Sequence, residues 1–317
     1  MSYGFRGHCG LARETTWGTA VAATDYFHAL SESIVHSIER FNVRNIIGGM
    51  YEPDDETGLT RNAGDIVLAA HPVSIGHMLY GVFGVNSITV VLSGVLFSNR
   101  FTPATTDANS LHPLPAYTLE IFRDVTSSQQ YTGVNFNTIQ LAVSPNQDLR
   151  LSAGIIAQGR NNIAATTPSY PGSPTGVFKF DTCSVGIGGA GINRVEALSF
   201  SFANQLEGVP ALNASTNIAR IKRTGSQTVR LGGTIAFEDQ TQKQDFIAQT
   251  ERQILVHFTR TASFALTIDI PRFVYTSFPD QITGRDRLTV DFEGMGRYHT
   301  GSAEACRLTL TTTNTFS

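Results

Sequence analysis

Stretches in which apolar and polar residues alternate are the main regular pattern in this chain. In residues 198–202, Leu and Phe alternate with Ser, and in residues 287–293, Leu, Val and Phe alternate with polar or charged residues. A period of two places the apolar side chains on one face of a strand, as in antiparallel sheets that bury a single face. The pattern predicts strands at residues 31–41, 64–70, 88–97, 117–125, 134–143, 148–156, 177–185, 195–203, 228–237, 254–259, 264–274 and 287–293.

Two short segments have the pattern of helices instead. Pro72 precedes residues 73–84, which are amphipathic and end in Gly84. Proline near the first turn and glycine after the last turn are typical of helix ends. A second amphipathic segment, residues 240–249, follows Asp239, whose side chain is suited to capping a helix.

Both helices occur at the same place in an internal repeat. Each follows a strand that begins with glycine, an alternating strand precedes that one, and a matched ending closes each copy. The copies match at residues 31–41 and 196–204, at residues 64–70 and 232–238, and at residues 148–154 and 286–294. A repeat of this length exceeds a solenoid unit and indicates two copies of one small domain. We therefore predict a mainly β protein with two tandem β-sandwich domains, each with one flanking α-helix.

The segments between the strands predict the domain boundaries and the long loops. Residues 161–176 are rich in Pro, Ser, Asn and Thr and are predicted to link an N-terminal domain, residues 1–160, to a C-terminal domain, residues 177–317. Long loops are predicted at residues 42–63, 98–115 and 205–228. The first and third of these loops occupy the same place in both copies, which favours a functional role for them.

The composition indicates a folded protein without a general affinity for polyanions or membranes. Hydrophobic residues make up 41% of the chain and charged residues 15%, and the formal net charge is -3. Lysine occurs only at three positions, against 20 arginines, which fits either arginine-rich packed interfaces or a coding bias. No apolar run reaches the roughly 20 residues that span a bilayer. Three cysteines at unrelated spacings, without a secretory segment, predict folding in a reducing cytoplasm.

No motif in the chain predicts catalysis, a metal site or a cofactor. Residues 186–191 match G-x-G-x-x-G, but strand-like residues follow the glycines, where pyrophosphate binding requires a helix N-terminus. A hinge or β-bulge is the simpler interpretation. His71 and His77 have no cluster of further ligands at metal-binding spacing, and residues 54–56 are acidic without EF-hand spacing. We therefore predict a protein that is not an enzyme and needs no cofactor.

The beginning of the chain carries a resemblance to a known family. Residues 10–24 read GLARETTWGTAVAAT, Ser-Glu-Ser follows at residues 31–33, and a Gly-Asp-Ile-Val strand begins at Gly64. This resembles the start of the tail tube proteins (major tail proteins) of long-tailed bacteriophages. The similarity covers about the first 90 residues at the level of motifs, and the whole chain at the level of the repeat. The motifs are turn glycines and short polar runs, and they include no catalytic signature.

The resemblance implies a structural virion protein. Subunits of the family form rings that stack into a hollow tube, which holds the tape-measure protein and conducts double-stranded DNA at infection. Each domain is a tube-type β-sandwich with a flanking helix. Where two domains are fused, three chains replace six, so the resemblance implies a homotrimer that forms a pseudo-hexameric ring. The alternative is a ring of six chains in which one domain of each chain lies outside the wall.

The resemblance also implies partners and a location. These are other copies of the chain, the tape-measure protein, the distal tail and tail terminator proteins, and passing DNA that is not bound specifically. The expected location is the virion tail, with assembly in the host cytoplasm and no contact with a membrane. Two other readings stay open, namely another virion component such as a distal tail or capsid-decorating protein, and a β-sandwich enzyme or binding module.

Candidate site residues follow from this reading. The predicted inter-ring loops carry Tyr51, Asp54, Asp55, Glu56, Arg220, Lys222 and Arg223. A tube that releases DNA cannot have a basic wall, because cations would bind the phosphates. The neutral and acidic faces of the strands with strict alternation are therefore predicted to face the lumen. Their residues are Ser33, Ser37, Glu39, Ser199, Ser201, Thr289, Asp291 and Glu293.

Three further residues carry separate predictions. Arg150 and Arg287 are the basic exceptions beside the predicted luminal positions, and they are expected to pair with acids such as Glu293 across the strands. Trp17 is the only tryptophan. It is predicted either to anchor an N-terminal arm against a neighbouring subunit or to cap the core of its own domain.

Overall fold

The computed structural model describes residues 3–43, 54–171, 176–279 and 287–316. The helices are α1 (Gly76–Phe83) and α2 (Thr241–Ile247). The strands, in chain order, are β1 (His8–Arg13), β2 (Asp25–Phe27), β3 (Ala29–Glu32), β4 (Val35–Asn42), β5 (Asp55–Ala69), β6 (Gly84–Leu92), β7 (Leu96–Pro103), β8 (Tyr117–Phe122), β9 (Ser127–Val143), β10 (Arg150–Ala157), β11 (Gly159–Ala164), β12 (Cys183–Ile187), β13 (Ala190–Ile192), β14 (Val195–Ala203), β15 (Leu206–Val209), β16 (Arg220–Arg223), β17 (Thr228–Ala236), β18 (Arg252–Thr261), β19 (Phe264–Ser277), β20 (Thr289–Gly296) and β21 (Arg307–Thr312). The prediction of a mainly β fold is confirmed.

Both predicted helices are present and end where the local sequence requires. α1 stops at Gly84, whose φ of 81° lies in the left-handed region that glycine adopts without strain. It begins at Gly76 rather than at residue 73, because the residues just after Pro72 form a turn. The cap position of α2 is Gln240 rather than Asp239; the Asp239 carboxylate lies one residue earlier and accepts a hydrogen bond from the Thr241 N–H at 2.8 Å.

The predicted loops contain more strand than expected. β5 begins at Asp55, β7 continues to Pro103, and the loop at residues 205–228 contains the β15–β16 hairpin. The predicted linker begins inside β11, and its residues 172–175 lie outside the described part of the chain. These strands carry many polar residues, so alternation is weak, and pairing to distant strands holds them extended. β1 and β2, in the segment predicted to be an N-terminal arm, were not predicted, because β1 is buried without alternation and β2 has only three residues.

The two halves of the chain have the same strand order. In the first half, up to residue 171, neighbouring strands pair in the order β2, β1, β8, β9, β10, β5, β4. In the second half, from residue 176, the order is β13, β12, β18, β19, β20, β17, β14. Each helix follows the equivalent strand, β5 or β17. This order agrees with the repeat in the sequence, while the division into two domains stays a prediction.

The sheet continues from one half into the other. β14, the last strand of the second-half order, pairs antiparallel with β9 of the first half, from Leu198 opposite Val143 to Ala203 opposite Thr138. Beneath the junction, Phe83 of α1 stacks on Phe202 of β14 with ring centroids 4.7 Å apart. Both side chains are buried in one hydrophobic cluster that contains residues of both halves. Burial of this shared cluster holds the halves together.

One insertion breaks the symmetry of the halves. The β6–β7 hairpin follows α1, whereas α2 is followed directly by β18. β7 pairs with β21, so a hairpin from the first half extends the sheet of the second half. The hairpin base and the C-terminal Phe316 also cover α1, which is almost fully buried. The equivalent helix α2 is covered on one side only, since Gln242 and Asp245 are buried whereas Ile247 is 61% exposed.

Candidate assembly surfaces

The predicted luminal residues share one face of the continuous sheet. Directly opposite residues of paired strands project to the same side, and Ser199 lies opposite Gly232, which lies opposite Glu293. The same registers bring together, on the side of the sheet away from the core, Ser33, Ser37 and Glu39 of the first half and Ser199, Ser201, Thr289, Asp291 and Glu293 of the second. We call this surface, formed by β4, β5, β10, β9, β14, β17 and β20, the polar sheet face.

The other side of these strands is apolar and buried. Leu141 of β9, Leu151 of β10 and Phe200 of β14 lie in the main hydrophobic cluster at 0 to 1% exposure. Alternation in each strand therefore separates a core side from a hydrated side, as the sequence predicted for β14 and β20. Burial of the apolar side fixes which residues face outward, because a slip of one residue would bury Ser and Glu side chains.

Hydroxyls and interspersed charges make up the polar sheet face. Gln140 donates to Ser199 at 3.0 Å, and Thr234 donates to Asp291 at 2.6 Å. Arg61 forms an ion pair with Glu39 at 2.6 Å. Its basic residues include Arg61, Arg150 and Arg230, and Arg230 lies directly opposite Ser201. These arginines are interspersed with Glu39, Asp291 and Glu293, so the face carries charges of both signs.

Arg287 pairs with an acid as predicted, although not with Glu293, whereas the acid nearest Arg150 is a neighbour along the chain rather than across the strands. Arg287 forms an ion pair with Glu196 at 2.7 Å, and Arg150 lies 3.9 Å from Asp148. Glu293 is placed instead opposite Gly232 and Ser277. The register of β17 against β20 decides this placement, and the register depends on strand pairing rather than on local sequence.

The structure brings the two predicted inter-ring loops together. Thr60 of β5 donates its N–H to the Thr216 carbonyl oxygen at 2.8 Å and its hydroxyl to the Asn217 side chain at 2.7 Å. Both loops therefore meet at one end of the first half. This contact was not predicted from the sequence, since the partners are more than 150 residues apart.

The loop residues themselves have different environments. Asp54, Glu56 and Arg220 are exposed. Asp55 pairs with Arg40 at 2.8 Å within the chain. Arg223 and Lys222 lie 3.2 and 3.9 Å from Asp107, so they have an acidic partner in their own chain. Tyr51 lies outside the described residues.

Trp17 packs on its own chain. Its indole N–H donates to the Gly133 carbonyl oxygen at 3.2 Å, and its ring stacks on His112 at 5.9 Å. It contacts a small hydrophobic cluster formed by Ala104, Leu114, Leu206, Ile218 and Ile221. These contacts favour the alternative in which Trp17 caps a core, and a contact with a neighbouring subunit stays a prediction.

A buried carboxylate fixes the segment around Trp17. Glu14 accepts hydrogen bonds from Gly18 N–H, Thr118 hydroxyl and Gly133 N–H at 2.7 to 2.8 Å. Burial raises the pKa of Glu14 above its ordinary value, and the three hydrogen bonds oppose that rise. All three donors belong to the chain itself, so the carboxylate has a structural role.

The β6–β7 hairpin is a surface that the sequence reading missed. Its exposed aliphatic side chains, at 38 to 58% exposure, are Val85, Ile88, Val90, Val91, Leu92 and Val95. The sequence contained a signal, because residues 84–99 hold no charged residue. The pattern of residues 88–97 predicted a strand but not the exposure of its side chains. An exposed apolar set of this kind is typical of an interaction site.

The glycine-rich segment and possible metal or membrane-spanning sites are the remaining candidates from the sequence. Residues 186–191 form the end of β12, the turn at Gly188 and Gly189 with φ of 62° and 84°, and the start of β13, so strand follows the glycines as predicted. Within the described ranges, no group of three or more His, Cys, Asp or Glu residues is arranged to hold a metal ion. Among those same residues, no helix is long and apolar enough to cross a membrane.

Comparison with known proteins is consistent with this geometry. A family model described as phage tail tube protein matches residues 4–296, which include both halves and the whole polar sheet face. No curated protein sequence matches the chain. The match covers far more than half of the chain, so the resemblance at its N-terminus is confirmed. The chain therefore belongs to the phage tail tube protein family and is a structural component of the virion tail.

Proposed function

We propose that three chains close into a pseudo-hexameric ring and that the rings stack into a hollow tail tube. The observation that carries this proposal is the junction of β9 with β14, at which one half of the chain continues the sheet of the other. If each half is one ring unit, this junction is a template for the contact between chains. Three chains then supply six equivalent units.

The free edge of β4 supports a repeated junction. β4 in the first half is equivalent to β14 in the second, since each is the outermost strand beside β5 or β17. β14 uses its second edge to pair with β9, whereas β4 has no partner on that edge among the described residues. An open edge in a protein that assembles with itself is naturally closed by another copy. β19 occupies in the second half the place that β9 occupies in the first. β4 is therefore proposed to pair with β19 of the next chain.

The polar sheet face is the proposed wall of the lumen. A ring closed by edge pairing has one face of its sheet inside, and the buried cluster lies on the opposite face. Hydroxyls and mixed charges keep such a wall hydrated and give DNA no run of cations to displace its counterions. The tube is thus proposed to hold the tape-measure protein and to conduct double-stranded DNA without binding it specifically.

The remaining parts of the proposal concern contacts and location. Asp54, Glu56 and Arg220 are proposed inter-ring residues, since they are exposed at the end of the first half where the two loops meet. The ends of the tube are proposed to meet the distal tail and tail terminator proteins. Assembly in the host cytoplasm, without a catalytic activity or a cofactor, completes the proposal.

Negative-stain electron microscopy of the purified protein over a range of concentrations tests the function, together with the mass of the smallest oligomer. Hollow stacked rings with the mass of three chains per ring are expected. Rings of six chains would contradict the pseudo-hexameric arrangement but would still agree with a tube-forming function. A protein that forms neither rings nor tubes, even with a purified tail initiation complex, would overturn the proposed assembly.

A further inference from the structure

We propose that the tip of the β6–β7 hairpin, residues 88–95, is a contact between stacked rings, and that it docks on a second copy of this chain in the adjacent ring. The proposal rests on the stacked-ring function above. It assigns a role to an insertion that only one half of the chain contains.

Among the described residues, the tip has no paired strand beyond the hairpin itself. β7 pairs with β21 only through residues 97–101, so residues 88–95 extend beyond the last strand that supports the hairpin. Val90, Val91 and Leu92 are 56 to 58% exposed, and Val95 is 54% exposed. Consecutive strand residues point to opposite faces, so both faces of the tip are uncovered and apolar.

The chemistry of the tip selects a protein partner over DNA. Residues 84–99 contain no charged side chain, so the tip has no group that pairs with phosphate. Its side chains are the β-branched and aliphatic residues that stabilise a contact by leaving water. A long exposed apolar hairpin also promotes aggregation unless another surface covers it. In a family whose members assemble with themselves, another copy of the chain is the partner always present.

The position of the hairpin selects the direction from which that copy arrives. Its base contacts α1 of the first half on one side and β21 of the second half on the other. One face of the base lines a groove of about 780 Å³ together with Arg13 and Tyr80 of the first half. In the proposed ring, strands pair edge to edge around the circumference, so a tip that extends past the end of β21 projects along the tube axis. A second copy reaches the tip from the ring above or below.

The substitution Val91→Asp tests the proposal, with Val125→Asp as the matched control. Val125 is 51% exposed in the turn between β8 and β9, so both changes place a carboxylate at an exposed valine outside the hydrophobic cluster. Both variants are expected to unfold at the wild-type temperature and to form rings. Val91→Asp alone should raise the protein concentration needed for tubes about tenfold or more, equivalent to about 1.4 kcal/mol.

Photo-crosslinking identifies the occupant independently of that substitution. A benzoylphenylalanine in place of Val91, in assembled tails, is expected to crosslink to another copy of the chain, and one in place of Val125 is not. Crosslinks to a different tail protein, or none between copies, would overturn the proposal. So would wild-type tube formation by Val91→Asp. If the unmodified protein forms no tubes, the function proposed above fails instead.

Discussion

Replacing Phe202 with alanine tests whether the two halves fold as one body. Phe202 lies on β14 opposite Ile139 of β9 on one side and Val229 of β17 on the other. Its ring stacks on Phe83 of α1 at 4.7 Å. This single side chain therefore contacts elements of both halves at the junction that the proposed ring repeats between chains.

The expected cost follows from burial. Phe202 is 1% exposed and Phe83 is fully buried, so truncation leaves a cavity between the sheet and α1. Removal of a buried phenylalanine costs about 3 to 5 kcal/mol, and loss of an aromatic pair adds about 0.5 to 1.5 kcal/mol. Both ranges include the lost contact between the two rings, so they are not added. We expect Phe202→Ala to lower the free energy of unfolding by about 4 kcal/mol.

Urea denaturation followed by circular dichroism and by near-ultraviolet absorbance measures the effect. Phe5→Ala is the control, since Phe5 is 81% exposed, and it should change stability by less than about 0.5 kcal/mol. The wild-type protein should unfold in one transition, because one cluster contains both halves. If Phe202→Ala unfolds like Phe5→Ala, or if the wild type unfolds in two steps, the inferred coupling is wrong.

Three further predictions concern the wall, an ion pair and a helix end. Ser201→Lys on the polar sheet face should permit assembly but slow DNA ejection, measured by light scattering. Ser184→Lys on β12 should leave the ejection rate unchanged. Equal ejection rates for the two variants would place Ser201 outside the lumen. Burial raises the pKa of Glu32, but hydrogen bonds from Arg123 and from the Ile34 N–H, together with the charge of Arg123, outweigh burial and lower the pKa. The pair thus stabilises the fold above the ordinary pKa of glutamate and loses this effect as the pH falls through the lowered pKa. Arg123→Met should cost about 1 kcal/mol at pH 7 and less near pH 3 in thermal unfolding, and a cost independent of pH would contradict this pairing. Gly84→Ala should cost more than about 1 kcal/mol, because a Cβ would lie 2.8 Å from Leu114 at a φ of 81°, and a neutral change would refute the strained cap.

Local sequence was sufficient for the elements whose signal comes from near neighbours. The alternation in β14 and β20 predicted both the strands and the side that is hydrated, because the period of a strand depends only on adjacent residues. Gly84 predicted the end of α1 for a similar reason. The repeat and the N-terminal motifs predicted the family, which the match over residues 4–296 confirms.

Features that depend on strand pairing were beyond the sequence. The sequence predicted that Arg287 pairs with an acid but not that the acid is Glu196, and it did not predict the contact of Arg150 with Asp148, since the register between strands places the acids. β2 is short, β1 is buried without alternation and β11 is polar, so none has a strand pattern of its own, and pairing with distant strands holds them extended. The exposed tip of the hairpin was read as an ordinary strand because exposure is not a property of the local pattern.

The sequence by itself determined which residues of each strand are apolar, where the helices end and that the pattern occurs twice. Only the tertiary structure decided that β9 meets β14, so that two patches of hydroxyls and carboxylates become one polar sheet face. It also decided that α1 is almost fully buried while α2 keeps an exposed side at Ile247, since the hairpin and Phe316 cover the first helix. The physical reason is range: periodicity is a property of neighbours along the chain, whereas adjacency of strands follows from burying one shared core.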